Sequence, residues 1–190
     1  MGSEMCIRDR FGTDITRFVQ PRDKWLMVPS IAWTVDAEDR TMVNTQIVGG
    51  IFELMGDAGN EYSMLFRSIS AASATLRQSL YLWSDANSRW ELEDSASGTP
   101  TTGTASYGAQ LPVKLSSTYS GVVAGYALLV AQIDVNNRLQ MANRLVDVTL
   151  VPTRPAVNMN QTFGDRAPAT LAPSSYDRRI FYAMFRRPSS

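Results

Sequence analysis

The chain contains no histidine, a single cysteine (Cys6) and only two lysines (Lys24 and Lys114), and each shortage removes a class of chemistry. Without imidazole there is no Ser-His-Asp triad, no Cys-His pair, none of the usual zinc sites and no proton shuttle near neutral pH. One thiol closes no disulfide within a chain, which excludes a disulfide-stapled scaffold. No apolar run approaches the roughly 20 residues of a membrane-spanning helix, and no apolar signal core follows the first residues. No membrane partner, metal or cofactor is therefore expected.

Charge is also scarce. Eighteen basic and eighteen acidic residues cancel, so no whole-molecule field is available to hold nucleic acid or a membrane surface. Charged residues make up 19% of the 190 positions and hydrophobic ones 44%, which places the chain on the folded side of the disorder boundary. That length suits one domain with a sizeable core. The segment Ser3 to Arg10 resembles the translated read-through of a sequencing adapter rather than evolved protein. Residues 1–10 therefore read as a non-native head, with native residues expected to begin near Phe11; an odd but genuine N-terminus is the alternative.

What is present reads as β-structure. Trp25 to Val35 is rich in aromatic and β-branched residues and is interrupted by Pro29, as in a broken or edge strand. Asp36 to Arg40 reads as a charged turn. Met42 to Met55 is apolar around Gly49-Gly50, which suggests a kink or bulge. A turn at Gly56 to Asn60 precedes a strand from Tyr62 to Ile69 with Tyr62, Met64 and Phe66 on one side.

The clearest local pattern is a β-hairpin over Leu76 to Asp94. Leu76, Leu80 and Leu82 share one face, Tyr81 and Trp83 the other, and Ser84 to Ser88 supplies the turn. A helix over Ser70 to Trp83 also satisfies the spacing of Ala72, Leu76, Leu80 and Trp83. Ser95 to Gly108 has almost no large apolar side chain and is expected to be an exposed loop. Leu111 to Leu115 reads as a short strand. Val122 to Val135 is apolar on both faces and should lie centrally, followed by a turn at Asn136-Asn137 with positive φ.

Arg144 to Val151 alternates as a further strand. Residues 153–175, with Pro155, Pro168 and Pro173, describe an irregular segment draped over the surface or reaching to a neighbour. Arg178 to Phe185 is a final strand. About nine short strands define an all-β antiparallel sandwich over residues 11–152, with residues 153–190 as a proline-rich extension ending in a strand.

Three constellations could carry chemistry. Carboxylates cluster at Asp36/Glu38/Asp39, Glu53/Asp57/Glu61 and Glu91/Glu93/Asp94, yet a glycosidase needs two facing each other across a cleft and nothing in the spacing fixes such a pair. With Asp134, Asn136 and Asn137 they could ligate calcium, although Asx residues in turns commonly satisfy local backbone amides instead. Aromatics at Trp25, Trp33, Trp83, Trp90, Tyr107, Tyr119 and Tyr126 could stack against sugars or bases, or fill the core; Trp83 and Trp90 could also pair across the hairpin.

From Arg154 onward six arginines (Arg154, Arg166, Arg178, Arg179, Arg186 and Arg187) face two aspartates, a local excess of four positive charges. Arginine's planar fork suits interfaces and phosphate, so these six are the candidate subunit or phosphate contacts; the alternative is flanking charge that keeps a terminal strand from aggregating.

The long strand Gly121 to Asp134, the Asn turn after it, the strand Val146 to Val151 and the proline-rich C-terminal run together resemble the jelly-roll coat proteins of small icosahedral RNA viruses, over roughly residues 20–190. The resemblance implies a non-enzymatic shell subunit of a virion, self-assembling as a homo-oligomer through its loops and C-terminal arm. Coat proteins of this type carry a basic N-terminal arm that binds the genome. None is present here, so any nucleic-acid contact of that kind is expected of a missing arm. A carbohydrate- or receptor-binding sandwich module and a carboxylate-dependent glycosidase are the alternatives.

Overall fold

The computed structural model describes residues 26–28, 38–57, 59–69, 73–100, 108–116, 122–145, 156–172, 176–177, 179–181 and 183–186. Every regular element among them is a strand, and all pairings are antiparallel. In chain order these are β1 (Leu26–Val28), β2 (Glu38–Thr41), β3 (Gln46–Asp57), β4 (Glu61–Ser68), β5 (Leu76–Ser84), β6 (Arg89–Gly98), β7 (Gly108–Ala109), β8 (Val113–Lys114), β9 (Val122–Ile133), β10 (Leu139–Leu145), β11 (Ala156–Asn160), β12 (Thr170–Leu171), β13 (Tyr176–Asp177), β14 (Arg179–Phe181) and β15 (Ala183–Arg186). They form two sheets.

The eight-stranded sheet is built around β4, which pairs with β15 and β10 along one edge and with β7 and β8 along the other; β1 lies outside β15, β2 and β14 beside β10. The seven-stranded sheet runs β12-β6-β5-β9-β3-β11-β13. Taking β7 and β8 as one interrupted strand and β14 and β15 as another, the main pairings are nested. First pairs with last (β1·β15), then β3·β9, then β4 with β7 and β8, and β5·β6 innermost.

Between the sheets lies the main core. The eight-stranded sheet contributes Tyr62, Met64, Phe66, Val113, Leu139, Met141, Phe181 and Phe185, and the seven-stranded sheet Val48, Leu76, Leu80, Leu129 and Ile133. The period-two readings for β4 and β5 hold: Tyr62, Met64 and Phe66 share the core face, as do Leu76, Leu80 and, at its margin, Leu82. Residues 76–84 are a strand, not a helix, because Tyr81 on the opposite face is also buried and a strand alone presents both sets at once. β9 is central between β3 and β5, with Ala127, Leu129, Ala131 and Ile133 in the main core and Leu128 and Val130 on the outer face. Asn137 in the turn after it has φ 60°.

Several elements depart from the sequence reading. Glu38 to Arg40 belongs to β2, in register with Ala142, Asn143 and Met141, rather than to a turn; the ladder to β10 outweighs the local charge pattern. Gly49-Gly50 marks no bulge, since β3 keeps unbroken register with β9 through both. Gly49 is required for another reason: a Cβ there would run into the Leu129 carbonyl oxygen and lie 2.7 Å from the Val130 Cα. Ser95 to Gly98 continues β6 rather than opening a loop, because Leu76 to Ser79 pair with it. Residues 101–107 and 146–155, including most of the expected Arg144 to Val151 strand, lie outside the described residues, as do 29–37.

The segment read as irregular, 153–175, contains a genuine strand. β11 pairs with β3 over five positions and places Val157 and Met159 in a second apolar cluster. From its end the chain crosses the outer face of the seven-stranded sheet and reaches the far edge, where Leu171 pairs with Trp90. If that sheet were flat, β12 and β13 would stand six spacings apart, about 29 Å. Leu171 and Tyr176 are joined by five steps of chain, which span at most about 18 Å. The sheet must therefore curl and bring its two edges together.

Candidate functional site

The outer face of the seven-stranded sheet divides into three zones along β5 and β9. At one end Arg77, Ser79 and Gln132 are buried; in the middle Ile47, Tyr81, Trp90, Leu128 and Val130 form the second cluster with Val157 and Leu171; at the other end Trp83 and Tyr126 are exposed. Residues 161–169 form the strap that covers the first two zones.

The strap is held by side chains that reach its backbone. Arg77 Nη2 donates to the carbonyls of Gly164 (2.8 Å) and Asp165 (3.0 Å), and its guanidinium lies 4.4 Å from the centre of the Phe163 ring. Tyr81 Oη donates to the Pro168 carbonyl (2.8 Å), and Gln132 Nε2 to the Gln161 carbonyl. Backbone bonds from Gln161 to Thr45, Phe163 to Asn44 and Leu92 to Ala169 fix both ends. Proline at 168 supplies a carbonyl but no N–H, so the stretch presents acceptors to the sheet.

Burial governs the titration of this zone. It lowers the pKa of the Arg77 guanidinium, with Tyr81 and Asp165 acting in opposition, and raises that of the Tyr81 phenol to about 12, with Ser79 and Arg77 pulling the other way. Arg77 is 4% exposed and its Nη1 has no hydrogen-bond partner. A charge so placed is tolerated because two carbonyls and an aromatic face replace part of its hydration.

The described candidate carboxylates bond within the chain; the side chains of Asp36, Glu38, Asp39, Glu53 and Asp57 lie outside the description. A register shift opposite Leu80 and Tyr81 leaves Glu93 as the extra residue of a β-bulge. Glu93 Oε1 then accepts from the Ser116 amide (2.6 Å) and Asp94 Oδ2 from the Lys114 amide (2.6 Å). Glu91 accepts from Asn87 and Arg89. Asp134 and Asn136 likewise take the amides of Thr75 and Asn44, the local backbone role open to Asx residues at turns. No group of three or more metal-ligating side chains occurs among the described residues.

Three of the six C-terminal arginines are among the described residues. Arg166 is exposed on the strap; Arg179 belongs to β14, opposite Leu145; Arg186 on β15 donates through Nε to Glu61 Oε2 (2.7 Å). Arg166 thus lies on the strap, and Arg179 and Arg186 on different strands of the eight-stranded sheet. Arg154, Arg178 and Arg187 lie outside the described residues.

Of the seven aromatics singled out, Trp83, Trp90 and Tyr126 share the outer face. Trp83 and Trp90 pair across the hairpin edge-on, ring centres 5.3 Å apart. Trp25, Trp33, Tyr107 and Tyr119 lie where side chains are outside the description. Arg77 and Gln78, buried polar residues that organise the two faces of β5, drew no attention in the sequence. The signal was there: two long polar side chains in succession inside an otherwise apolar strand must each find a buried partner.

No protein-family model matches the chain, and no curated protein matches it in sequence. Among the described residues no helix is long and apolar enough to cross a membrane.

Proposed function

We propose that the chain is a jelly-roll shell subunit of the virus-coat type, a structural protein that assembles with copies of itself. The observation that carries this reading is the nested order of pairing, β1·β15, β3·β9, β4 with β7 and β8, and β5·β6, which is what a jelly roll's two interlocked Greek keys require. Fold alone never assigns function, and two further features support assembly. The scarcity of charge suits a surface that meets many neighbours. The engagement of the described carboxylates Glu91, Glu93 and Asp94 within the chain favours a structural role over an enzymatic one.

In this reading the C-terminal arginines contact a neighbouring chain or a phosphate-bearing ligand, and Arg166 is exposed among those described. Nucleic acid would be held through an arm preceding the sandwich. Sedimentation velocity with negative-stain electron microscopy of the full chain tests the proposal. Closed particles or large symmetric oligomers are expected. A species that stays monomeric across pH, salt and protein concentration would refute it.

A further inference from the structure

We propose that the uncovered end of the outer face, built on Trp83 and Tyr126, is a binding site for neutral oligosaccharides. Trp83 is 42% exposed and Tyr126 64% exposed, although both belong to strands whose other described outer-face side chains are buried. They are the residues next beyond the Leu82↔Ala127 pair on adjacent strands β5 and β9, on the side that carries Tyr81 and Leu128. The strap stops short of them.

The indole of Trp83 is already oriented. Its Nε1 donates to Asp85 Oδ1 (2.9 Å), and its ring meets the edge of buried Trp90. A ring held this way loses little further freedom on binding, which favours weak ligands that cannot offset a large ordering cost. The Asp85 carboxylate, fixed by the same bond, borders the indole. Exposed aromatic side chains bordered by an oriented carboxylate match a pyranose ring, which is apolar on its C–H face and carries hydroxyls round its rim.

Size and charge narrow the ligand. Aromatic side chains offer ~150–250 Å² each, so the two together expose on the order of 200 Å². That is well short of the roughly 800 Å² that each partner contributes to a standard protein interface, and about right for one or two sugar residues. The Asp85 carboxylate at the rim disfavours anionic sugars.

The test uses the full chain titrated with lactose, maltohexaose, cellohexaose, chitohexaose and the anionic 3′-sialyllactose, read by calorimetry and by tryptophan fluorescence. Saturable binding of at least one neutral probe is expected, with Trp83→Ala and Tyr126→Ala each weakening it about tenfold or more. Tyr126, being exposed, can be replaced without touching either core, so its variant separates loss of binding from loss of fold. Failure of every neutral probe to bind at about 10 mM, or binding unchanged by Tyr126→Ala, overturns the proposal. So does preference for 3′-sialyllactose over lactose. Reduced self-association of Tyr126→Ala without any sugar binding would identify the patch as a protein contact instead.

Discussion

The inner face of the seven-stranded sheet and the covered part of its outer face are both buried, but by different means. Its inner face meets another sheet, and Leu76, Leu80, Leu129 and Ile133 interdigitate with Tyr62, Phe66 and Met141 from rigid, paired strands. Its outer face is covered by a single pass of chain whose attachments are largely side chain to carbonyl. A sheet opposite supplies many mutually supporting contacts; a strap supplies few, each individually removable. The inner face should therefore report on global stability, and the outer face on local opening.

The largest expected effect lies on the inner face. Phe66→Ala should cost about 3–5 kcal/mol in equilibrium denaturation, since the surrounding ladders cannot close on the cavity. Leu171→Ala, on two-residue β12, should fall at or below the ~2 kcal/mol lower end for such truncations, because the strap can settle into the space. Equal losses would break the distinction, making the outer cluster as stiff as the inner one.

Next in size is Gln78→Met. Between β7 and β8 the register to β4 slips by one, and Leu111 takes φ 47°, leaving backbone groups that the ladder cannot pair. Gln78 reaches across from β5 to satisfy them: Oε1 accepts from the Met64 amide (2.8 Å), and Nε2 donates to Ser63 Oγ and to the carbonyls of Gln110 and Leu111. Methionine has similar volume but no such bonds. Each buried group left unpaired costs about 1–3 kcal/mol, so a loss of ~2 kcal/mol or more is expected in denaturant titration. Deuterium exchange should quicken at Met64 first.

How much of this was legible in the sequence follows from which interactions are local. The hairpin, the buried faces of β4 and β5 and the central place of β9 rest on period-two apolar spacing, and the amino-acid order displays that directly. β2 and β11 were not readable as strands. Glu38 to Arg40 and Ala156 to Asn160 lack a strong apolar stripe, and they are strands because β10 and β3 offer them edges from about 100 residues away in the chain. Site residues split the same way. Trp83 facing Trp90 was readable from the turn between them, whereas the roles of Arg77 and Gln78 depend on residues 161–168 and 110–111, which spacing within β5 cannot reveal.

On the outer face, Tyr81 provides a probe of the strap with a pH signature. Its phenol titrates near 12 in the folded chain against about 10 when unfolded, so the folded state holds the proton more tightly. That contribution is fully present below pH 10 and is lost as pH rises through 12. Absorbance at 295 nm should show a late-ionising tyrosine component that Tyr81→Phe removes. The same substitution removes the bond to Pro168 and should cost about 1 kcal/mol, with amide exchange rising over 161–169 before the β-ladders open. A change spread evenly over the sheet would show the strap and sheet to be one cooperative unit.

The smallest effect is expected at Arg186, which also bears on the proposed shell contacts. Its Nε lies 2.7 Å from Glu61 Oε2, across paired positions of β15 and β4, and both side chains retain partial exposure. Water and salt screen a pair so placed, and the rigid strands on either side hold register without it. A double-mutant cycle of Arg186→Gln and Glu61→Gln should give a coupling of about 0.2–1 kcal/mol that shrinks with added salt. That bounds what the pair can do for stability. A large loss of assembly in Arg186→Gln, with the fold intact and Glu61→Gln assembling normally, would then have to come from contacts outside the subunit. Unchanged sedimentation in both variants would remove Arg186 from the proposed contacts and leave exposed Arg166 as the residue to replace next.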